Sequence, residues 1–455
     1  MARVLNFSKW KKYTISRNYF SFLNNIRFSL KGNFNIFHSR ICTFAHYSSY
    51  FCRMYEPITN EQLIAAATEY STPLYVYHAE KIAEQYTKLT DAFKEHPTRF
   101  FYACKALTNV NILKYMKSLG ALLDCVSINE VKLGLMAGYK PDEILFTPNC
   151  VDFNEVLQGA ELGIRINIDN LSILEQFGNR FGGSYPVCIR LNPHIEAGGN
   201  YKISTGHIDS KFGISIHQQR HIARIVKATG LQVQGLHMHT GSEIKDIDVF
   251  LQGLDVILSI ANYFPTLDFI DLGSGFKVPY KEDDHETDVT SLGKKVAKAV
   301  QEFEKEYNRS IEIWFEPGKF LVSECGSLVV KANVIKHTTA TVFVGVNSGF
   351  NHLIRPMFYD AYHRITNISN PDGPKRIYTV VGNICETDTF AWDRVLNEVR
   401  EGDYLVFHNA GAYGFEMSSN FNSRLKPAEV MLKEGKFQLI RKADVFEDLL
   451  RNQVL

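Results

Sequence analysis

The chain contains no apolar run approaching the roughly 20 residues that a membrane-spanning helix needs, so no segment reads as transmembrane. It also has almost no net charge. Fifty Lys and Arg against 49 Asp and Glu leave +1, which removes the electrostatic case for a nucleic-acid partner. Eight cysteines lack paired metal-ligand spacing, and several fall in expected core strands. Reduced thiols in a cytoplasmic protein are therefore expected, with neither a disulfide framework nor a metal centre. No internal repeat or low-complexity linker is evident. Acidic residues are missing before Glu56, while Arg3, Lys9, Lys11, Lys12, Arg17, Arg27, Lys31, Arg40 and Arg53 make residues 1–53 basic. That stretch reads either as a transit-like extension or as sequence preceding a true start at Met54. Ordered structure is expected from Ile58, where Thr59 and Gln62 have capping-box spacing and Ile58 can staple to Leu63.

What is present is a regular alternation. Eight β-rich runs are separated by stretches of helical period: Phe101–Lys105, Leu122–Ser127, Ile144–Thr147, Arg165–Asp169, Val187–Asn192, Gln234–His239, Phe269–Gly273 and Ile311–Glu316. Among the helices, Asn109–Leu119 repeats Val110, Leu113 and Met116, and Gly120 follows as a C-cap. Eight parallel strands predict a (β/α)8 TIM-like barrel with its chemistry at the strand C-termini, and an open doubly wound sheet is the alternative. At 455 residues the chain exceeds one compact core. After Cys325 the pattern changes to β-rich runs at Leu328–Ile335, Thr341–Val346, Arg376–Gly382, Asp403–His408, Ala428–Leu432 and Phe437–Arg441, predicting a separate antiparallel β domain. Leu74–Tyr77 precedes the barrel and can pair into that domain. The expected division is 1–53 extension, 54–84 segment joining the β domain, 85–325 barrel and 326–455 β domain.

Lys105 ends the first barrel run, which would aim its amine into the barrel mouth, where a lysine can form a Schiff base. A solvated strand-end lysine is the plainer reading. Glu316 closes the eighth run as a carboxylate across the same mouth, with a salt bridge to Lys319 or Arg190 as its plainer role. Turns rich in glycine follow two late runs, His239-Thr240-Gly241-Ser242 and Asp271-Leu272-Gly273-Ser274-Gly275, and their N–H groups could cradle a phosphate. Lysine, carboxylate and phosphate cup together describe a pyridoxal phosphate site.

These segments, with Tyr102-Ala103-Cys104-Lys105-Ala106, Glu316-Pro317-Gly318-Lys319, Arg355-Pro356-Met357-Phe358-Tyr359, Cys385-Glu386-Thr387-Asp388 and Gly411-Ala412-Tyr413-Gly414, resemble the ordered motifs of the alanine racemase-like, fold-type III pyridoxal phosphate decarboxylases. Within that family the chain most resembles the diaminopimelate decarboxylases, over roughly residues 56–450. The resemblance implies that Lys105 carries pyridoxal 5'-phosphate, Glu316 pairs with the pyridine nitrogen, His239 stacks on the ring, and Ser242, Gly273, Ser274, Gly275 and Tyr413 hold the phosphate. It further implies that Lys319, Arg355, Tyr359, Glu386 and Tyr413 bind the substrate, with Arg355 and Tyr359 on its distal carboxylate and Glu386 on its distal ammonium, and that Cys385 protonates the carbon left by CO2. The implied reaction converts meso-2,6-diaminopimelate to L-lysine and CO2. In this family the Cys-Glu segment completes the partner subunit's site, so a homodimer is implied.

Three departures from the family's pattern concern Lys319 in place of arginine, Ser274 in place of a middle glycine, and Phe146-Thr147-Pro148-Asn149-Cys150 after the third strand. Carboxynorspermidine decarboxylase shares the expected barrel and cofactor and stays as an alternative. Ornithine and arginine decarboxylases need an acidic pocket, against which Arg355 argues. A racemase would place a second base opposite Lys105. A non-catalytic pyridoxal phosphate carrier needs neither the β domain nor Cys385-Glu386.

Overall fold

The computed structural model describes residues 57–195, 210–239, 241, 244 and 246–454. The basic extension 1–53, Thr240 and Ser242 lie outside the described residues. The described chain opens on the helix Asn60–Tyr70. Thr59 caps it as expected: its Oγ1 accepts the Gln62 N–H at 3.2 Å, and Gln62 Oε1 accepts the Thr59 N–H at 2.9 Å. Ile58 packs with Leu63 in one apolar cluster.

The first strand, β1 (Leu74–His78), stays out of the barrel. The barrel strands are β2 (Thr98–Ala103), β3 (Leu122–Cys125), β4 (Ile144–Phe146), β5 (Arg165–Ile168), β6 (Val187–Asn192), β8 (Val233–Met238), β9 (Phe269–Asp271) and β10 (Glu312–Phe315), while β7 (Ile214–Ser215) lies beside β6. They run in the order β5-β4-β3-β2-β10-β9-β8-β6, and pairing of β5 with β6 closes the ring, which excludes the open doubly wound sheet. All neighbours are parallel. Inside, Phe101, Leu145, Cys188, Phe269 and Trp314 form a packed plug, with the Phe269 and Trp314 rings stacked 3.4 Å apart at 6°. Gly235 makes room for that stack, since a Cβ there would stand 2.2 Å from the Phe269 ring. The barrel is thus a filled core, which leaves only its C-terminal mouth for chemistry.

The first strand starts three residues earlier than expected and stops at Ala103. Cys104–Ala106 instead form one 3₁₀ turn, because Leu107 N–H returns to Cys104 O at 3.0 Å. Lys105 therefore sits on a tight turn just past the strand. The expected helix is present as Val110–Leu119, with Asn109 as its N-cap and Gly120, at φ 95°, as its left-handed C-cap.

The second sheet contains β1 with β11 (Gly326–His337), β12 (Val342–Val346), β13 (Ile365–Asn367), β14 (Lys375–Val381), β15 (Thr389–Asn397), β16 (Tyr404–Phe407), β17 (Ala428–Lys433) and β18 (Lys436–Arg441). β1 pairs with β11 and β17, so this sheet draws on both ends of the described chain. Two features correct the sequence expectation. The sheet is mostly antiparallel, but the β1–β17 and β12–β14 pairs are parallel. It also includes β13 and β15, which the β-rich runs did not show. β15 carries exposed Trp392 and Val395 and a left-handed Asp393 at φ 46°, so its two-residue alternation is broken.

Candidate active site

Four backbone hydrogen bonds draw the separated motifs into one mouth. Ala103 N–H donates to Pro317 O at 3.1 Å, and Glu316 N–H donates to Gly273 O at 2.7 Å. Tyr413 N–H donates to Ala106 O at 2.8 Å, and Ile244 N–H donates to Gly275 O at 2.8 Å. Gly318 allows the first of these approaches, since a Cβ on it would meet Ala106 and Ala103 within 3.3 Å. The turns that carry Lys105, Glu316, Gly273 and Tyr413 are therefore bonded neighbours.

Lys105 is enclosed by protein on its flanks yet borders the open mouth, so its side chain is accessible. Burial works against its charge, but Asp124, Tyr413 and Glu316 outweigh that and raise the amine pKa. Asp124 and Asp271 are themselves pushed well up, by burial and by the Glu316 charge. Glu316 is shifted the other way. Burial opposes its charge too, but His237, Lys105 and Arg190 hold its carboxyl well below the usual carboxylate range. His237 Nε2 lies 3.2 Å from Glu316 Oε2, and both residues are buried. Burial lowers the His237 pKa. Arg190 is buried beside them, its guanidinium 4.9 Å above the Phe212 ring.

The cup is equally constrained. Gly273 at φ 62° and Gly275 at φ 121° hold left-handed backbones, and Cβ atoms there would stand 2.7 Å from His239 Nδ1 and 2.2 Å from Gly241 O. Ser274 is not among the left-handed residues, which explains why a serine fits between the two glycines. Its N–H donates to His239 Nδ1 at 3.3 Å. Burial, then Arg190 and Lys105, push His239 down to about 3, so its ring is neutral. The unusual third-strand loop also enters the site: Thr147 Oγ1 donates to Glu316 Oε1 at 3.5 Å, and Asn167 Nδ2 donates to Thr147 Oγ1 at 3.5 Å.

Arg355, on the short helix Arg355–Tyr359, is buried at 8 % exposure, yet its Nε meets no hydrogen-bond partner among the described residues. Its guanidinium is 5.9 Å from the Tyr359 ring and 6.0 Å from the Tyr413 ring. Tyr413 in turn lies within electrostatic reach of both Lys105 and Arg355. Lys319 lies half-buried on the turn after Glu316.

Cys385 and Glu386 stand apart from this cluster. Both are exposed, in the loop between β14 and β15, where Asn422 Oδ1 accepts the Cys385 N–H at 3.0 Å. Asp388 pins that loop by accepting from Phe350 N–H at 2.6 Å and from Ile384 N–H at 2.9 Å. All six described cysteines are free thiols.

Sequence reasoning singled out Lys105, Glu316, the glycine turns and Arg355. It assigned no role to Asp124, His237, Asp271, Thr147 or Asp388. The available signal was charge inside a buried run: Asp124 and His237 interrupt apolar strands and Asp271 ends one.

The residues fit pyridoxal phosphate on their own geometry. A lysine amine reaches the mouth, a carboxylate held ionised can retain a protonated ring nitrogen, and a two-glycine cup excludes any Cβ. Residues 79–323 match the family of the pyridoxal binding domain of pyridoxal-dependent decarboxylases. The diaminopimelate decarboxylase of Methanothermobacter thermautotrophicus is 37% identical over 400 residues, covering 86% of this chain and 93% of that protein. That of Escherichia coli K12 is 32% identical over 416 residues, covering 88% and 97%. The crystal structure of diaminopimelate decarboxylase from Helicobacter pylori complexed with L-lysine superposes with a TM-score of 0.79 at 31% identity, covering 86% of this chain and 98% of that one. The chain belongs to the diaminopimelate decarboxylase family, a branch of the pyridoxal-dependent decarboxylases.

Proposed function

We propose that this enzyme takes meso-2,6-diaminopimelate, releases one carboxylate as CO2 and yields L-lysine, the last step of lysine biosynthesis. The observation that carries this reading is the buried Arg355 guanidinium, whose Nε has no hydrogen-bond partner among the described residues and which lies 6.0 Å from the Tyr413 ring. A buried guanidinium with no ion pair among the described residues calls for an anionic group on the substrate, and its planar fork suits a carboxylate. Ornithine and arginine lack a second carboxylate to supply it.

In this reading Lys105 holds the cofactor, and the ionised Glu316 faces its ring nitrogen. Bound pyridoxal phosphate supplies the sink for the electrons of the broken carbon–carbon bond. Neutral His239 offers a flat ring face, and the backbone of Gly273, Ser274 and Gly275, with Ser242 and the Tyr413 hydroxyl, holds phosphate. Arg355, Lys319 and Tyr359 fix the carboxylate that remains in lysine, so the one that leaves is set over the sink. Glu386 accepts the distal ammonium. Cys385 delivers a proton from its Sγ to the carbon that lost CO2.

Exposure of Cys385 and Glu386 in one chain fits a homodimer in which each subunit completes its partner's mouth. We place the working division at residues 54–84 and 326–455 for the β domain and 85–325 for the barrel, and the enzyme in the cytoplasm. No described helix is long and apolar enough to cross a membrane. The test is turnover with pyridoxal phosphate and, separately, meso-diaminopimelate, carboxynorspermidine and ornithine. CO2 from the first supports the reading, and CO2 from carboxynorspermidine alone moves the function to polyamine synthesis.

A further inference from the structure

Tyr280, in the segment after β9, carries no motif signal, yet it adjoins both cations assigned to the distal carboxylate. The Arg355 guanidinium lies 5.8 Å from its ring centre and the Lys319 ammonium 5.9 Å. These are cation–π distances. The ring is held on several sides. Its hydroxyl hydrogen-bonds Ser323 Oγ at 2.7 Å, His363 packs edge-on at 5.6 Å and 86°, and its own N–H donates to Asp284 Oδ2 at 3.2 Å. The preceding Pro279 O accepts from Asn409 Nδ2 at 2.7 Å. Ser323 is fully buried and caps the turn Lys319–Val322 by donating its N–H to Lys319 O at 2.9 Å. The hydroxyl thus ties the ring to the same turn that carries Lys319.

We propose that Tyr280 is a positioning residue of the distal-carboxylate site, its ring holding the Lys319 ammonium and the Arg355 guanidinium where both meet one carboxylate. The inference rests on the reading given under Proposed function. It also accounts for the lysine at position 319. Lysine has no planar fork to fix its direction, so its ammonium takes direction from its surroundings, and an anchored aromatic face supplies one. The ring also steadies both like charges before the carboxylate arrives, since each is drawn to its negative quadrupole.

The product keeps the distal head group, which gives a clean test. L-lysine presents that carboxylate, and cadaverine is the same chain without it. Dissociation constants of both are measured by calorimetry on the holoenzyme. For Tyr280→Leu the inference expects L-lysine to weaken roughly tenfold while cadaverine and the visible absorbance of the bound cofactor stay unchanged. Tyr280→Phe keeps the ring but removes its tie to Ser323, so it recovers part of the lysine affinity and leaves a loss of roughly threefold. Equal weakening of lysine and cadaverine, or no weakening of lysine, overturns the inference. Should Tyr280→Leu not fold, Ser323→Ala carries the test by untying the ring. A lysine-specific loss of roughly threefold is then expected, and unchanged lysine affinity overturns the inference. A wild-type holoenzyme that fails to bind L-lysine overturns the underlying reading itself, a result distinguishable from any behaviour of the variants.

Discussion

Glu316 Oε2 and His237 Nε2 are 3.2 Å apart in the buried floor of the barrel mouth, and this contact is the foremost of those that keep the carboxylate ionised against its burial. Glu316→Gln retains size and removes the charge. The amide cannot stabilise a protonated ring nitrogen, so kcat falls by roughly 10²-fold or more, while Lys105 still takes up the cofactor. Visible absorbance and steady-state kinetics on the same sample check this, and near-normal kcat contradicts it.

Arg355→Lys keeps a positive charge but removes the planar fork and the unpartnered Nε. KM for meso-diaminopimelate rises by roughly tenfold or more, with cofactor binding intact. A change in cofactor affinity in place of KM would move Arg355 out of the substrate site.

Cys385 is exposed, so Cys385→Ala leaves stability within about 0.5 kcal/mol of wild type. In the proposed reaction Cys385 is the proton donor, so activity is expected to drop. If the Cys-Glu loop serves the neighbouring subunit, mixing Lys105→Ala with Cys385→Ala subunits regenerates one complete site per heterodimer. Activity in the mixture that neither variant has alone is expected, and an inactive mixture rules out the shared site.

His352 is buried, with Nδ1 3.1 Å from Ser348 Oγ and Nε2 3.0 Å from Leu425 O, and burial pushes it down to about 4. A histidine whose folded pKa lies below its unfolded value of about 6.5 binds fewer protons when folded. Its share of stability is therefore present above pH about 6.5 and lost as pH falls toward about 4. His352→Gln removes that dependence, so its urea stability declines less steeply than wild type across this window. Parallel slopes contradict the assignment.

What the sequence made legible follows from how locally each feature is encoded. Val187–Asn192 was readable to the residue because every one of its side chains is buried and the run is uninterrupted. Thr98 and Arg99 were missed at the start of β2 because both are polar and not fully buried. β13 is three residues long, and its register exists only through pairing with β16. Within the site, Lys105 and Glu316 announce themselves by standing where buried strands end. Arg190 and His237 lie inside strands, and what makes them functional is that closure of the barrel sets them around Glu316. Tyr280 depends on a contact between the barrel mouth and residues beyond Lys319, which no local pattern carries. Cys385 and Glu386 are recognisable only through family resemblance, since one chain leaves them in solvent.

The most direct measurement takes wild type and Lys105→Ala, each with pyridoxal phosphate and meso-diaminopimelate, and follows CO2, L-lysine and visible absorbance together. The account predicts equal amounts of CO2 and L-lysine from wild type, and loss of both products and of the lysine-bound cofactor's absorbance in Lys105→Ala. Undiminished product formation by Lys105→Ala, or CO2 without lysine from wild type, contradicts it.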